Sequence, residues 1–90
     1  MTEEKIVDVY IPALVALLTR AETIAERPLT ESEVIRIRDS ASVVKQPLSA
    51  MPNFINQRGY HDIYAPDAWA EWQAYRSGEL DLSINETTEK

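Results

Sequence analysis

Apolar residues at three- and four-residue spacing run from Val7 through Ile11, Leu14, Leu18 and Ala21 to Ala25. That period places them on one side of a helix and predicts a first helix over about 3–27. From Val9 to Leu18 no residue is charged, so this helix needs cover on every side, from its own domain or from a second copy of the chain. Pro12 cannot donate its backbone hydrogen bond. It either kinks the helix or opens it behind an extended, β-branched lead-in over 5–11. The expectation is a kinked or restarted helix.

A second helix has a sharper start. Thr30 and Glu33 have the spacing of a capping box, and Leu29 and Val34 that of a hydrophobic staple. Val34, Ile37, Ala41 and Val44 form its apolar stripe, and Pro47 ends it. Leu48, Met51, Phe54 and Ile55 then predict a short helix closed by Gly59 in the left-handed conformation. A loop over 60–64 leads to a last helix from Pro66 to just before Gly78. Leu80, Leu82 and Ile84 alternate with Asp81 and Ser83, the period of an extended tail. The pattern as a whole predicts an all-α fold: a small three- to four-helix domain over 1–84 with a short extended C-terminal tail, and a flexible end at 85–90.

Ninety residues make one domain, which buries about 60–65% of the surface its unfolded chain exposes. No cysteine is present, which removes disulfides, thiolate catalysis and cysteine-ligated zinc. Fifteen acidic against nine basic residues give a net charge of −6, which disfavours nucleic acid and suits a basic protein partner. The apolar run at 11–18 follows Glu3, Glu4, Lys5 and Asp8 rather than a positive segment, and it is too short to span a bilayer. The expected setting is cytoplasmic, with no membrane partner.

Leu29-Thr30 with Glu33-Val34, Ile37-Arg38-Asp39, Arg58-Gly59-Tyr60 with Asp62-Ile63, and Trp69 with Glu71-Trp72-Gln73 resemble a recurring pattern in small uncharacterised bacterial proteins. The resemblance covers about half the chain. It implies a bacterial origin and a single domain, and brings no activity, cofactor or partner.

Six of the seven aromatic residues and the one histidine lie between Phe54 and Tyr75. Tyr60, His61, Tyr64, Trp69, Trp72 and Arg76 are the candidate protein-binding residues, because Trp, Tyr and Arg dominate interface energetics. Trp69 and Trp72 are three apart on one helix, and at least one is expected in the core. Arg58, Tyr60 and Asp62 are expected to form a polar knot after Gly59, with Arg58 paired to a carboxylate. Asp62, Asp67, Glu71 and Glu79 would give the aromatic region a negative rim. His61 with Asp62, Asp67 and Glu71 is the best catalytic grouping, but adjacent loop residues normally diverge, so no catalytic residue, metal site or cofactor is assigned.

The leading expectation is a small acidic, non-enzymatic interaction module, of the inhibitor or immunity type, binding a basic partner through Tyr60–Arg76. The alternatives are a homodimeric accessory subunit that associates through its first helix, and a small-ligand protein or enzyme with an aromatic pocket around His61.

Overall fold

β-Branched residues decide the N-terminal conformation. Ile6, Val7 and Val9 lose side-chain freedom in a helix and pack well on a pleated strand. In the computed structural model, which describes residues 4–83, Ile6–Tyr10 is strand β1. The helix expected over 3–27 begins only after the cis Ile11–Pro12 peptide, as α1, Leu14–Ala25.

β1 pairs antiparallel with β2, Val43–Pro47, from Ile6 opposite Pro47 to Tyr10 opposite Val43. The all-α expectation is therefore corrected: the fold is mixed, with four helices and a two-stranded antiparallel sheet among the described residues. The second helix, α2, covers Glu31–Ser40 and stops at Ala41, whose backbone is extended. Val44 continued the helical spacing, yet it lies in β2 and is 39% exposed. A partner strand remote in sequence outweighs that spacing, and the adjacent β-branched Val43 and Val44 favour the strand locally.

The start of α2 carries the expected capping box. Glu33 N–H donates to Thr30 Oγ1 at 3.3 Å, and Thr30 N–H to Glu33 Oε1 at 2.8 Å. A 3-10 turn at Leu48–Ala50 leads into α3, Met51–Arg58, which ends at Gly59 with φ 92°. A second 3-10 turn at Ala65–Asp67 opens α4, Ala68–Ser77, which ends at Gly78 with φ 87°. Both glycines adopt the left-handed conformation that closes a helix without a Cβ penalty. Beyond α4 the chain runs back to form a bridge between Tyr60 and Ser83. Ile84, the flexible end expected at 85–90 and the limit of the domain lie outside the described residues.

Leu14 and Leu18 of α1 and Val34 of α2 are completely enclosed, with Leu29, Ile63, Trp72 and Leu82 around them. Val9, Tyr10 and Ile11 belong to the strand region rather than to α1, and Leu14, Val15 and Leu18 are covered within the chain. The molecule is a plate, 48 × 38 × 19 Å.

Candidate interaction site

Asp62 organises the region. Its carboxylate accepts from the backbone N–H groups of Leu14 at 2.7 Å and Val15 at 2.8 Å, and from Ile63 at 2.8 Å. The first turn of α1 has no capping side chain of its own, since Ala13 stands at the cap position. Asp62 supplies that cap from 48 residues away, and its charge meets the positive end of the α1 dipole. Arg58 closes the knot: Nη2 donates to Tyr10 O at 2.7 Å and Nη1 stands 3.8 Å from Asp62 Oδ2.

The same loop is fixed at almost every residue. His61 N–H donates to Leu82 O at 2.7 Å, and Tyr64 N–H donates to Glu71 Oε1 at 2.7 Å. The backbone from His61 to Tyr64 is thus tied to α1, α4 and the returning chain. With Asp62 drawn inward, His61 is exposed and Tyr64 is 60% exposed.

The other candidate residues separate by burial. Trp72 is 2% exposed and belongs to the core, stacked on Tyr75 with ring centroids 5.8 Å apart. Its Nε1 is buried with no hydrogen-bond partner among the described residues. Trp69 is half-buried against the core, as is Tyr60. Arg76 is committed to an ion pair, its Nε 3.0 Å from the Glu22 carboxylate, which also accepts from Leu29 N–H. Tyr75, absent from the sequence-based site, is 38% exposed. Its position three residues after Trp72 was the available signal, but spacing alone does not say which ring faces water.

The negative rim also loses members. Asp62 faces inward, and Glu71 is engaged by Tyr64, while Asp67 and Glu79 remain exposed. The Asp62 oxygens are occupied by backbone donors, so the grouping with His61 has no orienting carboxylate at that position. Among the described residues, no three His, Asp or Glu side chains converge as metal ligands do.

On one side of the loop, β1, α3 and residues 61–66 enclose a cleft of about 750 Å³. Val7, Phe54 and Ile55 give it apolar walls, and Tyr10, Arg58 and His61 give it polar groups. Burial pushes the Tyr10 hydroxyl above its ordinary pKa, with the nearby Arg38 charge opposing the shift. No helix among the described residues is long and apolar enough to cross a membrane. Comparison with protein-family models, curated proteins and solved structures finds no match to this chain.

Proposed function

We propose that this protein is a non-enzymatic interaction module whose contact surface centres on the His61–Tyr64 loop. The observation that carries this reading is the inward turn of Asp62 between two outward-facing rings. A loop held by four separate attachments has little conformational freedom left to lose on binding, which is the main advantage of a preorganised contact. Tyr64 and His61 supply the anchors, and the half-buried Trp69 and Tyr60 lie within the same sequence region. Asp67 and Glu79, on a chain of net charge −6, favour a partner with a basic surface. An inhibitor or immunity-type protein fits this description.

The test is photo-crosslinking from position 64, compared with position 36 on the exposed face of α2. The expected result is one discrete adduct from position 64 and none from 36. Tyr64→Ala should then weaken binding to the recovered partner by about 2 kcal/mol with an unchanged denaturation midpoint. Equal adducts from both positions, or full affinity in Tyr64→Ala, would remove the reading.

The cleft beside His61 favours a second reading, small-molecule binding, since its size and mostly apolar walls suit a ligand pocket. Val7→Trp would put a bulky ring into it. A ligand function would be lost in that variant, whereas adducts from position 64 would persist.

A further inference from the structure

Eight large hydrophobic side chains are exposed among the described residues. Five of them, Ile6, Ile11, Val43, Val44 and Leu48, sit on the β1–β2 ribbon or at its ends. A two-stranded sheet is marginal alone, and an unpaired edge beside exposed valines is a template for further pairing.

The hydrogen bonds at the ends of the ribbon fix its parity. Ile11 N–H donates to Ser42 O at 3.1 Å, and Leu48 N–H donates to Lys5 O at 2.8 Å. Hydrogen-bonded pairs alternate along an antiparallel register, so Val44 and Gln46 turn their N–H and C=O groups toward β1. Val43, Lys45 and Pro47 turn theirs to the outer edge. Pro47 has no N–H to offer, and such outward positions are where a sheet tolerates proline. On the other flank, Ala41 N–H is taken by Arg38 O. Among the described residues, the open edge of β2 is therefore two residues, Val43 and Lys45.

We propose that this edge pairs with the same edge of a second copy of the chain, antiparallel about a two-fold axis at Val44. In that register Val43 exchanges both backbone bonds with Lys45 of the other copy, and Lys45 with its Val43. Every outward donor and acceptor at these two residues is used. Val44 meets its symmetry mate at a non-hydrogen-bonded position, where cross-strand side chains come closest.

The charges fit this occupant. Lys45 lies beside Val43 of the other copy, while its ammonium stays 2.6 Å from Asp8 Oδ1 of its own chain. No like charges face each other on the axis. A longer foreign strand gains nothing, because the free groups end at Val43 and Lys45, and a second copy ends its ladder at the same two residues. The resulting four-stranded sheet brings Val43 and Val44 of both copies, each 39% exposed in the single chain, to its centre. This inference is independent of the His61–Tyr64 surface.

The chain has no cysteine, so single-cysteine variants of the full chain report the register directly. Val44→Cys should form an interchain disulfide under mild oxidation, severalfold faster than Lys45→Cys or Gln46→Cys. Sedimentation equilibrium of the unmodified protein should show a monomer–dimer equilibrium. Val44→Asp, which places like charges on the axis, should raise the dissociation constant about tenfold or more. Should Val44→Asp fail to fold, the cysteine series still decides. A monomer up to hundreds of micromolar would overturn the proposal, and so would a dimer in which Cys at 44 crosslinks no faster than Cys at 46.

Discussion

Asp62 Oδ2 accepts the backbone N–H of Leu14 at 2.7 Å, joining the loop after α3 to the first turn of α1. One carboxylate thus performs two tasks: it satisfies donors that α1 cannot satisfy itself, and it fixes the loop on which His61 and Tyr64 are displayed. Asp62→Ala should cost about 1–3 kcal/mol in urea denaturation, because orphaned helix donors and the Arg58 guanidinium both lose a partner. Asp62→Asn, which keeps an acceptor, should recover part of that loss. Equal midpoints for all three proteins would show that the cap contributes nothing.

The two tryptophans should respond differently. Trp72→Ala should cost about 3–5 kcal/mol, as expected for a large buried ring. Trp72→Phe should cost clearly less, since it retains a ring and removes an indole N–H that has no partner. Trp69→Ala, from a half-buried site, should fall well below Trp72→Ala in the same thermal melts. The reverse order would place the wrong ring in the core.

Two α-helical substitutions calibrate these values. Thr30→Ala removes one half of the capping box and should cost about 1 kcal/mol. Leu14→Ala, at a completely enclosed position, should cost about 2–5 kcal/mol through lost burial and a residual cavity. Chemical denaturation reads both, and similar small shifts would contradict the packing described above.

Glu33 gives a prediction in pH. Its hydrogen bonds with Arg27, foremost, and with Thr30 N–H hold its carboxyl at about 2, below the ordinary 4.5. A depressed carboxylate stabilises the fold fully above its unfolded value, and that contribution is lost as pH falls from 4.5 toward 2. The stability difference between the wild type and Glu33→Gln should therefore shrink across that window. Carbon-detected NMR titration of the Glu33 carboxyl should place its midpoint near the lower end.

Local signals carried the elements they control. The Thr30–Glu33 spacing, Gly59, Gly78 and Pro66 each act within a few residues, and the helix ends they mark are present. The sheet was hidden because each of its strands has another local reading. Val7 and Ile11 fit a helical period with Leu14, and Val44 fits one with Val34, Ile37 and Ala41. Only the pairing of 6–10 with 43–47, remote in sequence, decides between the two. Asp62 was equally opaque. As a charged loop residue it suggested a rim, and nothing within its neighbourhood indicates a helix start 48 positions earlier. The Arg58–Asp62 knot was legible because Gly59 turns the chain between them.

The 19 Å thickness of the plate has a consequence for exchange with solvent. Helices are about 10 Å across, so the molecule is about two layers deep and every helix keeps an exposed face. Protection from deuterium should therefore follow cooperative attachment rather than depth. The slowest amides should be those of α1, including Leu14 and Val15 beneath the Asp62 carboxylate, and those around Val34. The helix α3, which contributes no buried residue, should exchange by opening on its own. Such a chain behaves less like a droplet with an interior than like a hinged sheet, in which one helix can lift while the rest keeps its shape.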